Sequence, residues 1–511
     1  MTYINFHFID FLAFLPEFFL IIFGLCALIY GVTVSTSSSL GYPLVVKNIH
    51  WFSIQALVFC VILVILNPVT SLVFFQRCLY VTPFISFVKV LLIVSGIFTF
   101  LLSLSYVRFE RVNAFEYVLL IFLSLIGMLL LVSCFDFISF YLALELQSLC
   151  LYVLAASKRN SEYCLEAGLK YLILSAFSSG LLLFGITLIY GFTGTLTFDD
   201  LYLFFSYIFN TGITDLSQNL VVLELGMLFT FVGLLFKVNA VPFHMWVPDV
   251  YEGSPTAVTA FFSTAPKVAS MLVLLQFTFF PFSPFFYQSS TFSWFDLFFY
   301  TSIFSILLGS FAGLYQTRLK RLLAYSTIAN VGYMLIGFLQ DKTLFFSVLP
   351  PSSTVLFLFI YIFMTVNIFV VILSLRRQKN SLLIKYLIGL ASLSKMNPVL
   401  ALTLALTLLS MAGIPPLAGF IGKVYLFFSA VKSGYILLAV AGILMSAVAT
   451  FYYIRLVKVM YFEKIDHFDV LIPVSRENSL LLGVTFLFIL FFIVSPDLLI
   501  SFCSYVCGYL L

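Results

Sequence analysis

Residues Leu234 to Trp246 read LLFKVNAVPFHMW, which places Lys237, Asn239, Pro242 and His244 inside an otherwise apolar run. Pro242 has no amide hydrogen to donate and clashes with the carbonyl four residues earlier, so a helix through this stretch is interrupted. Backbone groups released by a break are tolerated at membrane depth only where protein or water satisfies them. The stretch therefore predicts a discontinuous, hydrated helix that carries a lysine near mid-membrane.

The composition supports the membrane setting. Of 511 residues, 63% are hydrophobic and 9% charged, and the mean hydropathy is +1.16; a soluble domain carries about a quarter charged residues. Apolar runs of about 20 residues suffice to cross the ~30 Å hydrocarbon core. They occur at 11–31, 51–66, 83–106, 115–133, 135–157, 166–191, 222–245, 256–280, 297–315, 322–338, 354–375, 397–430, 434–454 and 478–496. Residues 115–157 are nearly continuous, but one helix of that length would be roughly twice the core thickness. A tight turn at Asp136 divides them, and the expected fold is an all-α polytopic membrane protein with about 14 transmembrane helices.

Loop charges test this order, because loops on the inner face collect Lys and Arg. Loops after odd-numbered spans hold seventeen basic residues, among them Arg108, Lys158, Arg318, Lys320, Arg321 and Arg376, whereas those after even-numbered spans hold three, Arg77, Lys342 and Lys432. Both termini are thus expected on the outer face. MTYINFHFID has no basic leader, so no cleavable targeting segment is expected before the first span. The 64 phenylalanines fit AT-rich coding DNA of an organelle.

Several function classes fall away. The net charge of +4 is spread along the chain, with no basic stripe for nucleic acid. The eight cysteines lie scattered in apolar segments; the closest pair, Cys503 and Cys507, has no neighbouring histidine or further cysteine. Cysteines so placed are packing residues rather than metal or iron–sulfur ligands. With no GxGxxG or Walker motif in addition, neither a redox centre nor a nucleotide site is expected in this chain.

Five of the 25 basic residues fall inside predicted spans: Lys89, Lys170, Lys237, Lys267 and Lys423. An ionisable group at mid-membrane costs at least about 2.5–3.5 kcal/mol and marks a protein interior or an ion pathway. Lys89 and Lys170 lie close enough to a span end for snorkelling to be the competing reading. Lys267, directly after Pro266 at the middle of its span, cannot reach an interface. Glu145, at the centre of YLALELQSLCLY, is neutral if alone and ionised beside a lysine; five intramembrane lysines favour pairing. Glu116 and Glu17 stand near span edges, where interfacial anchoring competes with function. His244 fits either a packing role or a proton relay.

MAGIPPLAGFIGK (411–423) forms a second interruption, with Gly413, Pro415, Pro416 and Gly419 ahead of Lys423. The two breaks are five spans apart, so five-span repeats would be inverted relative to one another. Paired broken helices in inverted repeats point to a transporter's ion site. The symmetry is incomplete, since the second half has no counterpart of Glu145 or Lys267. One path joined across both halves accommodates this better than two equivalent channels.

Four stretches carry a family resemblance: FYLALELQSLCLY with EAGLKYLILSAFSSG, FKVNAVPFHMWVPDVYEGSPTAVTAFFSTAPK, KRLLAYSTIANVGYMLIGF, and MAGIPPLAGFIGKVYLFFSA. They resemble the antiporter-like membrane subunits of the proton-pumping NADH:quinone oxidoreductase, respiratory complex I, over nearly the whole chain. ELQSL, EAGLKY and PDVYEGSP favour the subunit 2 family over its larger sisters, in its mitochondrially encoded form. The resemblance implies two inverted five-helix repeats with discontinuous helices 7 and 12. The corresponding segments are an N-terminal three-helix segment (1–114), a first antiporter-like repeat (115–280), a second, inverted one (297–454), and a C-terminal helix and tail (478–511).

Matched motif by motif, the family's proton path falls on Glu145, Lys170, Lys237, Lys267 and Lys423, and its helix-4 glutamate on Glu116; Lys89 gains no such support. Ala257 stands where the family pattern has proline. The resemblance implies a proton-translocating subunit of NADH:ubiquinone reductase in the mitochondrial inner membrane, or in a bacterial plasma membrane. FMN, iron–sulfur clusters, NADH and ubiquinone are expected in partner subunits. The expected partners are other membrane-arm subunits, especially a neighbouring antiporter-like subunit and small membrane subunits, together with lipids. The alternatives are a subunit of a cation/proton antiporter and a non-pumping structural subunit.

Overall fold

The computed structural model of the chain describes residues 9–35, 42–110, 115–158, 160–211, 217–288, 293–339, 349–378, 383–463 and 470–509. Arg111, Arg159, Lys342, Lys379 and Lys464, counted above among the loop cations, lie outside them. The described chain is mostly helical, with one antiparallel hairpin, Leu72–Phe74 against Leu79–Val81. Helices satisfy their backbone polar groups internally, which a lipid environment demands of any spanning segment.

Among the described residues, twelve helices are long and apolar enough to cross a membrane. They match twelve of the fourteen expected spans. At the other two positions stand Leu319–Ile336, which carries Lys320 and Arg321 in its first turn, and the pair of half-helices Pro398–Ala412 and Ala418–Lys432. Asp136 does end the long apolar run: Glu116–Ser133 and Phe137–Ala155 flank it, and its carboxylate caps the second helix by accepting from the Ser139 amide. The tail holds a further apolar helix, Pro496–Cys507.

Burial ranks the helices from centre to rim. Of the most apolar stretch of Thr256–Phe279, 94% is buried, and of Pro351–Ser374, 89%, against 28% of Leu15–Val34. The first of these central segments is itself interrupted, contrary to the continuous span expected at 256–280. Thr264 leaves helical geometry (φ −113°, ψ −87°) between Thr256–Ser263 and Ala265–Phe279. Pro266 cannot donate to the carbonyl of Phe262, which releases the helix just ahead of Lys267.

Each face of the bundle is closed by short backbone pairings. On the side that the loop charges assign to the outer face, Phe135 donates to Cys78 in the hairpin (2.8 Å), and Phe198 donates to Phe135 (3.1 Å). On the side that they assign to the inner face, Leu319 donates to Lys385 (3.0 Å), and Gln378 donates to Val470 (2.8 Å). Glu110 adds an ionic tie there, accepting from Lys158 at 2.5 Å and from the buried Arg376 at 3.0 Å. These contacts hold the N-terminal helices against both later halves of the chain.

Lys89 does not snorkel, and Glu17 is not an interfacial anchor. Their side chains are 5% and 1% exposed and form an ion pair between the Pro83–Glu110 and Leu15–Ser35 helices. Removing one member of a buried pair leaves the other charge uncompensated, at a cost of about 3–5 kcal/mol, whereas an apolar replacement of both is often neutral. Lys89→Met alone should therefore lower the thermal unfolding midpoint of the detergent-solubilised complex. Lys89→Met combined with Glu17→Leu should restore most of it.

The second interruption gives a sharper steric test. A Cβ on Gly419 would stand 2.0 Å from the carbonyl oxygen of Ser410, a backbone atom with little freedom to move. Gly419→Ala should destabilise the half-helix junction by about 1–3 kcal/mol, measured in the same unfolding assay.

Candidate functional site

Lys237 lies in the last turn of Ser217–Val238. The amides of Asn239 and Ala240 both donate to the carbonyl of Leu235, at 3.0 Å each, and close the helix. Asn239 in a left-handed conformation (φ 79°) and the cis Val241–Pro242 peptide then redirect the chain toward Trp246–Gly253. Asparagine tolerates this region better than most residues, so the break expected from Pro242 begins three residues ahead of it.

Lys237 is half-buried, and its ammonium is bonded to the fully buried Ser175. It donates to Ser175 Oγ at 2.6 Å, and Tyr152 Oη donates to the same oxygen at 2.6 Å. Ser175 belongs to Glu162–Thr193 and Tyr152 to Phe137–Ala155, so a single hydroxyl joins three helices. The ring of Tyr152 faces the ammonium at 6.0 Å, within range of a cation–π contact. Glu145, about two turns before Tyr152, acts electrostatically on Lys237. Its Oε2 accepts from Ser148 Oγ at 3.2 Å, and its buried Oε1 has no hydrogen-bond partner among the described residues.

Lys267, 1% exposed, donates to Tyr361 Oη at 3.4 Å and lies between the rings of Tyr251 (5.5 Å) and Tyr361 (5.8 Å). Lys423, 5% exposed, sits across the second break. Its Nζ donates to the carbonyls of Met411 (2.8 Å) and Ala412 (3.0 Å), the last of their half-helix, and faces the ring of Tyr333 at 4.9 Å. A cation there meets the negative end of the helix dipole. Gly413 makes this approach possible: its φ is 88°, and a Cβ would come 3.0 Å from Lys423 Cδ. The cis Pro415–Pro416 peptide completes the turn.

The remaining expected residues lie apart from these three lysines. Lys170 is half-exposed, pairing with Glu166 at 2.7 Å and Asp249 at 2.9 Å. It borders a cavity of about 160 Å³ that also carries Glu252, Arg318 and Arg321. Arg318 pairs with Glu252, and Arg321 reaches Asp249 and Glu252 at 3.9 and 3.7 Å. By the loop-charge orientation this ionic cluster lies on the inner face. Glu116 is exposed at the start of its helix. His244 is half-buried in the turn after Pro242, its Nδ1 without a partner among the described residues.

Among the described residues, Lys237, Lys267 and Lys423 form no salt bridge, unlike Lys89, Lys158 and Lys170. Hydroxyls, carbonyls and aromatic faces hold them instead. Such partners keep an amine in place whether or not it carries the extra proton, which suits a group that must both take and release one. Reading the sequence missed Ser175, Tyr152, Tyr251, Tyr333 and Tyr361, because a tyrosine or serine in an apolar helix looks like packing until its neighbour across the bundle is known.

Comparison with known proteins identifies the family of the chain. Residues 134–449 match the family described as the NADH:quinone oxidoreductase/Mrp antiporter transmembrane family. The chain is 46% identical to NADH-ubiquinone oxidoreductase chain 2 of Marchantia polymorpha over 489 residues, covering 96% of each. A chain of respiratory complex I from Thermus thermophilus superposes with a TM-score of 0.74 at 26% identity, covering 95% of this chain and 98% of that one. A chain of the Mrp complex from Dietzia shares the fold, with a TM-score of 0.76 at 18% identity and 97% of each chain covered. The chain belongs to the NADH:quinone oxidoreductase/Mrp antiporter family, on the branch of NADH-ubiquinone oxidoreductase chain 2.

Proposed function

We propose that this multi-pass protein of the mitochondrial inner membrane conducts protons within the membrane arm of NADH:ubiquinone oxidoreductase. Membership of its membrane arm as an antiporter-like subunit follows from the family. The proton route is our reading of the residues, and one observation carries it: three lysines whose ammonium groups lie inside an apolar bundle without a salt bridge among the described residues. Burying a charge so is expensive, and a purely structural role would be served as well by apolar side chains.

In this reading Lys237 is the switched group. An ionised Glu145 nearby favours the ammonium form, and neutralising or moving that carboxylate weakens the hold. Ser175 positions the nitrogen throughout, since its oxygen accepts from either form. Lys267 holds a proton at the centre and Lys423 exchanges it with the far side through the second break. Lys170, bound in the inner-face ionic cluster, modulates access from that side. The two breaks belong to inverted repeats within 115–280 and 297–454, which brings the number of membrane passes to fourteen.

Electron transfer belongs to other subunits. The sequence supports this, because the cysteines lack the clustered spacing of a metal or iron–sulfur site. FMN, the iron–sulfur clusters and the NADH and ubiquinone sites are assigned to those partners. Glu145 supports a protein neighbour rather than lipid along its helix, because it is only half-buried among the exposed Leu142, Leu146 and Leu149. A carboxylate facing hydrocarbon is costly, and a neighbouring antiporter-like or small membrane subunit would cover it.

Lys237→Ala should leave the complex assembled and reduce NADH-driven proton uptake by inverted membrane vesicles at least about tenfold. Unchanged uptake in an assembled variant would remove Lys237 from the route.

A further inference from the structure

The cations assigned to the inner face by the loop charges are not all answered within the chain. Lys158 and Arg376 pair with Glu110, while Lys170, Arg318 and Arg321 pair with Glu166, Asp249 and Glu252. Lys385, Lys395 and Lys458, in the second half, are exposed and form no salt bridge among the described residues. These three meet around one helix end. Lys458 lies in the last two turns of the Ile436–Phe462 helix. Lys395 belongs to Leu393–Met396 and Lys385 stands just before Leu387–Leu390, and both of these short segments pack against that helix.

The length of the helix sets the depth of this end. Its 27 residues extend about 40 Å, against a hydrocarbon core of ~30 Å. Ile436 to Ile454 carries no charge and fills the core, so the turns from Arg455 to Phe462 stand at headgroup level. Arg455 fixes the neighbouring helix at the same level by donating to the carbonyl of Leu314 at 3.2 Å. Exposed apolar side chains, Ile388 and Phe462, accompany the cations there.

The face of the helix indicates what covers it. Leu444, Ala447, Phe451, Ile454 and Lys458 recur at three- and four-residue spacing and so form one stripe, and all five are exposed. Four apolar residues thus run through the core and a cation stands at their headgroup end. A protein neighbour would have to bring an apolar face and an anion in that order. An anionic phospholipid carries both in one molecule, and its negative charge complements three cations that no carboxylate of the described residues answers.

We propose that the inner end of the Ile436–Phe462 helix binds an anionic phospholipid of the inner leaflet, its acyl chains along the stripe and its phosphate held by Lys385, Lys395 and Lys458. Each cation close to an anionic surface favours the charged headgroup about fivefold. The site lies outside the proton route and does not depend on it.

The test uses the assembled complex in phosphatidylcholine vesicles that contain a trace of photoactivatable phosphatidylglycerol or, in a parallel sample, photoactivatable phosphatidylcholine with the same acyl chains. After illumination, mass spectrometry maps the labelled peptides. Phosphatidylglycerol should label the peptides within 383–396 and 444–463 at least about fivefold more than phosphatidylcholine does. Lys385→Gln, Lys395→Gln and Lys458→Gln together should bring the two lipids to equal labelling, with NADH:ubiquinone turnover showing that the complex is assembled. Equal labelling of the wild type by both lipids overturns the site, and a preference that survives the triple substitution overturns its assignment to the three lysines. Labelling by neither lipid places a protein neighbour on the stripe and overturns the proposal as well. The wild-type comparison decides the matter even where the triple variant fails to assemble.

Discussion

Three ammonium groups held in an apolar interior without carboxylate salt bridges are the constraint around which the bundle is organised. Lys237, Lys267 and Lys423 stand at helix interruptions, and this placement has a common cause. A continuous helix spends its carbonyls and amides on itself and offers a buried cation nothing. A break frees carbonyls, as Met411 and Ala412 are freed for Lys423. It also admits polar neighbours, such as the hydroxyl set around Ser175.

The rest of the architecture keeps these interruptions in register. The hairpin and the Phe135–Phe198 pairing brace the outer ends of the helices that surround Lys237 and Lys267. On the inner face Glu110 draws together Lys158 and Arg376, from different parts of the chain. Beside it the Glu166–Lys170–Asp249 cluster lies where the post-break helix Trp246–Gly253 meets the start of Leu319–Ile336. Stiff ends with a polar, interrupted middle are what a proton conductor needs, since the hydrogen-bonding groups must stay aligned while a proton moves among them.

Much of this was legible from composition and punctuation. The division at Asp136, the breaks at Pro242 and at Gly413–Pro416, and the buried position of Lys267 all follow from residues that act locally: a capping carboxylate, an imino acid, a glycine, a cation too far from either interface. The interruption at Thr264 was equally local, because Pro266 announces it, but the apolar run on both sides concealed it. What local reading could not supply was pairing. Lys89 and Glu17 looked like two residues near span edges, and each becomes a buried ion only because the other lies across the helix interface. Lys170 reads like the other intramembrane lysines, yet the turn of its helix directs it to Asp249 and Glu166 rather than to Ser175, five residues on.

The sequence by itself determined that the chain spans a membrane many times and which residues must lie where lipid cannot reach. These follow from hydrophobicity, charge and backbone chemistry, which are properties of single residues and short windows. Only the tertiary structure decided which polar group answers each buried charge: Ser175 and Tyr152 for Lys237, Tyr361 for Lys267, two helix-end carbonyls for Lys423, Glu17 for Lys89. Those choices depend on the rotation and depth at which separate helices pack, and a few tens of degrees about a helix axis exchange a hydroxyl for a methyl group while leaving the hydropathy of both segments unchanged.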